Sequence, residues 1–191
     1  DGENFSNEVT VTITVTQEEP APYNFECIGA LTVNLGEDAQ NSGVKEIPTS
    51  EFITSDTSNL DFELTNQQFT CEDIGTNPLT IRATNKTTGE EYDCTVNVTV
   101  QDVGAPLIIC PAEPITINLP EEGYRVEDFF ENRISDNCNS LEELELVQDV
   151  EPGTVLEEAG TYTINLTATD TYNNVETCEV IIKLIRENSA P

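Results

Sequence analysis

Apolar and polar positions alternate with a period of two along most of this chain. From residue 94 to 100, Cys94, Val96, Val98 and Val100 interleave with Thr95, Asn97 and Thr99, the pattern of a strand buried on one face. The alternation breaks over residues 101–106 and restarts at 107–110. The same event occurs upstream in EVTVTITVTQEEPAP (8–22) and downstream in TCEVIIKLIRENSAP (177–191). Each junction ends in Ala-Pro, and Pro22, Pro106 and Pro191 lie 84 and 85 residues apart. A spacing this regular marks an internal repeat, so the chain reads as a slice of a tandem array.

The repeat divides the sequence. Residues 1–20 read as the last strand of a preceding repeat, with Val9, Val11, Ile13 and Val15 on one face and Thr10, Thr12, Thr14 and Thr16 on the other. Residues 21–103 form repeat one, and 104–191 form repeat two with the start of the next linker. Predicted strands in repeat one cover 27–35, 44–52 (interrupted by Pro48), 60–64 and 67–71. Leu79, Ile81 and Ala83 supply the next core face, and a hairpin loop over 85–90 leads to the final strand. Repeat two follows the same order: CIGALTVNL becomes CPAEPITINL, Gly75 matches Gly160, and Ala83 matches Ala168. The segment VEDFFENR (126–133) has the composition of a helical turn, but the repeat predicts a strand and a loop there. About seven short strands per repeat, with turns at short intervals, predict an all-β chain of tandem immunoglobulin-like antiparallel β-sandwiches.

Charge narrows the partners. The chain has 37 acidic and 7 basic residues, a formal net charge of −30. Nucleic acid and anionic membrane surfaces are repelled by such a field. No apolar run is long enough to span a bilayer, so direct membrane insertion is not expected. His, Trp and Met are absent. Without His, a Ser or Cys nucleophile has no ordinary base to activate it, and the commonest transition-metal ligand is missing. No phosphate-binding glycine loop is present, and the reading is of a chain that is not an enzyme.

Three segments of repeat two, P-x-I-x-C-P (106–111), S-D-N-C (135–138) and G-T-Y-T-I-N-L-T-A-T-D (160–170) followed by Cys178, together resemble the hyalin-repeat (HYR-like) immunoglobulin-type module. FTCEDIG (69–75) in repeat one is similar to repeats of large Bacteroidetes cell-surface adhesins, including those of gliding flavobacteria. The resemblance spans about residues 22–190 and implies a secreted, repetitive, cell-surface adhesin with no catalytic residues. Its partners would be neighbouring repeats of the same chain, with surface glycans or the substratum as further candidates. Repeat one departs from the pattern, with Thr57 and Ser58 in place of Asn-Cys and Asn85 in place of the final Asp.

Six cysteines in a β-rich chain of this size point to an oxidising, extracellular setting, and they allow 15 pairings. The inferred sandwich narrows them. Cys27 and Cys110 open the first strands, Cys94 and Cys178 open the last, and first and last strands are parallel neighbours in such folds. The expected pairs are therefore Cys27–Cys94 and Cys110–Cys178, each able to add about 4 kcal/mol in the chain-entropy account. Cys71, at the lower end of repeat one, and Cys138, at the upper end of repeat two, have no cysteine counterparts in the other repeat: Leu156 and Ser58 stand there. An interrepeat Cys71–Cys138 bond would leave that pattern. Two free thiols, or a different pairing within one repeat, remain alternatives.

Asp102 in the linker, Asp136 and Asn137 after the second strand, and Asp170 in the last hairpin are candidate Ca²⁺ ligands, since Ca²⁺ takes six to eight oxygens. The alternative is turn chemistry, in which Asp and Asn side chains bond their own backbone. No other cofactor is expected. The functional reading is a non-catalytic structural or adhesive segment of a long filament; the alternative is a carbohydrate- or ligand-binding accessory module, for which Tyr172 at a hairpin tip is the candidate contact.

Overall fold

The computed structural model describes residues 25–38 and 42–186, so the strand expected over 1–20 lies outside the described residues. Two β-sandwiches follow each other. The first holds β1 (Ala30–Leu35), β2 (Val44–Glu46), β3 (Leu60–Leu64), β4 (Gln68–Thr70), β5 (Gly75–Asn85) and β6 (Glu91–Asp102). Its main sheet runs β1-β6-β5-β3, with β2 and β4 paired in the opposing layer. The second holds β7 (Leu107–Ile108), β8 (Ile115–Asn118), β9 (Tyr124–Arg125), β10 (Ile134–Ser135), β11 (Glu145–Gln148), β12 (Val155–Leu156), β13 (Gly160–Thr169) and β14 (Val175–Ile185). Its main sheet runs β11-β13-β14-β8, faced by the pairs β7–β10 and β9–β12.

Each half has its own core, because the period-2 pattern turns one face of every long strand inward. In the first, Val96, Val98 and Val100 of β6 and Leu79 and Ile81 of β5 pack against Val33, Leu35, Phe52 and Phe69. In the second, Ile164, Leu166 and Ala168 of β13 meet Val180, Ile182 and Leu184 of β14 and the rings of Tyr124, Phe129 and Phe130. Most strand pairs are antiparallel, but β1 runs parallel to β6 and β8 runs parallel to β14. In the first sandwich the opening strand therefore lies beside the closing one and points the same way; in the second that place is taken by β8, while the opening strand β7 pairs with β10.

Several predicted boundaries shift for local reasons. Cys27 precedes β1 and makes an isolated bridge to Ile53. The strand expected over 44–52 stops at Glu46, because Pro48 removes a donor and caps a 3-10 turn over Thr49–Glu51. Cys71 opens a 3-10 turn, Cys71–Asp73, rather than ending a strand. A capping box holds that turn: Asp73 accepts from the Thr70 backbone N–H at 2.8 Å. Residues 126–133 form neither helix nor strand; a turn there buries Phe129 and Phe130. β6 runs on to Asp102, so this residue ends a strand rather than lying in a linker.

Candidate metal centre at the junction

The site is assembled from both sandwiches. From the first come Asp102, at the end of β6, and Cys71. From the second come the loop after β10, carrying Asp136, Asn137, Cys138 and Asn139, and Asp170 in the β13–β14 hairpin. Alternation along β6 explains why Asp102 points inward: it continues the buried series Val96, Val98, Val100 and is 6 % exposed. A carboxylate thus occupies what the strand pattern reserves for an apolar side chain.

One carboxylate oxygen from each of Asp102, Asp136 and Asp170 lies within 4.8 Å of the others. Among the described residues this is the one such cluster, and the described ion pairs involve none of the three. The hydrogen bonds divide the oxygens into two sets. Oδ1 of Asp102 accepts from the Asn137 amide at 2.8 Å and from the Gly104 N–H at 3.0 Å. Oδ1 of Asp136 accepts from the N–H groups of Cys138 and Asn139 at 3.0 and 2.7 Å. Asp170 accepts from Tyr172 N–H and Asn174 N–H on Oδ1, and from the Asn174 amide on Oδ2 at 2.7 Å. The second oxygens of Asp102 and Asp136, with Oδ1 of Asn137 and Oδ1 of Asn139, are buried and meet no hydrogen-bond partner.

Electrostatics confirm the tension in this arrangement. Burial pushes the Asp102 carboxyl above its ordinary value, and the charges of Asp136 and Asp170 push it the same way; the Asn137 and Gly104 bonds oppose them. Buried acceptors without donors are costly, and three like charges this close repel. A hard divalent cation would relieve both penalties. The donors are carboxylate and amide oxygens, without imidazole or thiolate, which suits Ca²⁺ rather than zinc or copper.

Sulfur chemistry frames the same junction. Cys71 is bonded to Cys138 across the two sandwiches, with Cα atoms 5.3 Å apart. Cys27 is bonded to Cys94, and Cys110 to Cys178, each with Cα atoms 6.1 Å apart. Sγ of Cys71 lies 3.3 Å from the Asn137 carbonyl oxygen. A Cβ placed on Gly43 would run into that carbonyl and come within 2.8 Å of Cys71 Sγ, so the close approach of the two sandwiches needs a glycine here.

Asp102, Asp136, Asn137 and Asp170 are thus brought together. Three participants escaped the sequence reading. Asn174 holds Asp170 and also donates to the Asp102 carbonyl at 3.4 Å, Asn139 donates to Thr171 at 2.9 Å, and Gly43 sets the contact distance. The short Asp-to-Asn turn at 170–174 was a readable signal for Asn174; nothing local marks Gly43. Tyr172 is exposed at its hairpin tip, whereas Tyr162 is half-buried and donates to the Glu158 carbonyl at 3.0 Å, a corner role.

No family model matches the chain, and no curated protein matches it in sequence. Solved structures that it resembles include an endo-fucoidan hydrolase from glycoside hydrolase family 107 (14 % identity, TM-score 0.32), covering 88 % of this chain and 30 % of that one. Drosophila N-cadherin EC1-4 matches 83 % of the chain and 47 % of its own (15 % identity, TM-score 0.39). Human protocadherin-24 EC1-2 matches 84 % of the chain and 98 % of its own (12 % identity, TM-score 0.35). At these TM-scores the likenesses bear on neither ligand nor activity, and the immunoglobulin-like sandwiches rest on the strand pairing above.

Proposed function

We propose that this chain is a two-repeat structural segment of an extracellular adhesive surface protein, acting through reach and a stiffened joint rather than through catalysis. The observation that carries the reading is the Cys71–Cys138 bond, which ties one sandwich to the next beside a polypeptide linker only a few residues long. Domains joined by a linker alone ordinarily move against each other. Three disulfides fit an oxidising, extracellular setting, and among the described residues no helix is long and apolar enough to cross a membrane. The HYR-like resemblance supports a repetitive bacterial adhesin with boundaries at 21–103 and 104–191, with surface gliding as one use of such a filament.

A Ca²⁺ ion held by Asp102, Asp136, Asp170 and the Asn137 side-chain oxygen completes the joint in this reading. The test is the distribution of interrepeat distances, measured between spin labels on β3 and β11, in the native protein and in Cys71→Ser with Cys138→Ser. A narrow distribution that broadens in the variant supports the stiff joint. Equal widths would remove it. A glycan-binding role has less behind it: among the described aromatics only Tyr172 is exposed, and one ring offers no stacking platform.

A further inference from the structure

We infer that the disulfides give this chain a covalent route for tension that bypasses nearly all of both sandwiches. The chain comes into the first sandwich over Phe25–Cys27, and Cys27 is bonded to Cys94 in β6, the strand by which the chain leaves. The second sandwich repeats the device: Cys110, just after β7, is bonded to Cys178 in β14, again the closing strand. Tension applied on either side of residues 27–186 passes from Cys27 through the sulfurs to Cys94, then along β6 and the linker to Cys110. From there it crosses to Cys178 and leaves along β14. Residues 28–93 and 111–177 lie outside this route.

The route has little slack, because β6 and β14 are already extended at about 3.3 Å per residue. Without the bonds, the parallel pairing of β1 with β6, from Ala30↔Asn97 to Leu35↔Asp102, would be loaded in shear. Its failure would release the chain between the cysteines. The Cys27–Cys94 bond spans a sequence separation of 67 and Cys110–Cys178 one of 68, so each release would add about 220–240 Å of contour. With the bonds intact, rupture of the non-covalent contacts frees no length, since the ends of each bypassed segment stay joined. Cys71 and Cys138 both lie in bypassed segments, so while the two bypass bonds hold, their bond governs the angle of the joint and not its extension.

The purpose of such a route rests on the structural reading above; the route itself rests only on connectivity. The experiment is single-molecule force spectroscopy on the whole chain held between handles. Under oxidising conditions no lengthening step of about 220–240 Å is expected; with a dithiol reductant two such steps appear. Steps of that size in the oxidised protein would overturn the inference. The Cys27→Ser, Cys94→Ser variant should give one shorter step without reductant, about 145–160 Å, because Cys71–Cys138 still ties residue 71 to the second sandwich and only the chain from 27 to 71 is freed. If that variant does not fold, reduction of the native protein under force supplies the full-length readout. Cys71→Ser with Cys138→Ser should remain inextensible whether or not its joint broadens, so the stiff joint and the tension route succeed or fail separately.

Discussion

The side-chain amide of Asn137 donates to Oδ1 of Asp102 over 2.8 Å, joining the loop after β10 of one sandwich to the last residue of β6 in the other. Asn137 thereby holds a buried carboxylate whose other donor among the described residues is the Gly104 N–H. Asn137→Ala removes a hydrogen bond to a charged group, which ordinarily contributes about 1.5–3 kcal/mol. Denaturant unfolding in chelator should show a loss of that order, and a variant as stable as the native protein would mean that water replaces the bond fully.

Ca²⁺ should stabilise the native chain and leave Asp102→Asn nearly unaffected. A ligand that binds only the folded state at 100 times its dissociation constant adds about 2.7 kcal/mol. Calorimetric titration with CaCl₂ and melting curves with and without chelator measure this directly. The ligand loop also carries Cys138, so reducing the protein should weaken cation binding, and by reciprocity the cation should shift the thiol–disulfide equilibrium of Cys71–Cys138 towards the disulfide. No heat and no melting shift in the oxidised native protein would remove the ion from the joint.

The pH dependence in chelator has a definite sign. The Asp102 carboxyl is raised above its ordinary value, first by burial. A carboxyl raised in the folded state contributes stability that is fully present below its unfolded value and is lost as pH rises through the folded one. The stability difference between the native protein and Asp102→Asn should therefore shift against the native protein as pH climbs from about 4 towards neutrality. Saturating Ca²⁺ should reverse the trend by favouring the ionised form. A flat difference in chelator would show that Asp102 is hydrated.

Gly43→Ala should move the joint without unfolding either sandwich. Its Cβ overlaps the Asn137 carbonyl and crowds Cys71 Sγ, and overpacking of this kind costs about 1–3 kcal/mol. Small-angle scattering should register a changed interrepeat angle while the two cores keep their chemical shifts. By contrast Ile164→Ala, at a fully buried position in the second core, should cost about 2–5 kcal/mol in that sandwich and leave the first core's shifts unchanged.

What could be read from the chain depended on whether the cause was local. β3 was legible to the residue, because Asp61 and Glu63 face out between Leu60, Phe62 and Leu64. The buried series on β5 and β6 followed from the same alternation. The two 3-10 turns at Cys71–Asp73 and Leu141–Glu143 carry capping boxes, with Thr70 against Asp73 and Ser140 against Glu143, a signal present in the sequence and not used. Phe129 and Phe130 defeated periodicity because adjacent residues are both buried, which a turn permits and a strand does not. Asp102, Asp136 and Asp170 could be picked from the sequence as candidate ligands beside the alternative of turn chemistry, but their approach to within 4.8 Å is seen only in the structure. The roles of Gly43 and Asn174 arise only where distant loops meet, and no local pattern encodes such a meeting.

The joint is built from unlike surfaces. One sandwich gives Cys71 and Asp102 from its lower end, and the other receives them with Asp136, Asn137, Cys138 and Asp170 at its upper end. Contacts between unlike faces are heterologous, so they add units head to tail and do not close on themselves. The upper end of the first sandwich has Ser58 and Asn85 where the second has Cys138 and Asp170, and Asn85 turns inward to accept from Asn59 at 3.1 Å and from the N–H groups of Thr87 and Thr88. That neutral, self-satisfied turn has neither the thiol nor the charge to take the same donor. The lock between these two sandwiches therefore has a direction: the lower end of the first can engage the upper end of the second, and the upper end of the first cannot take the same contact.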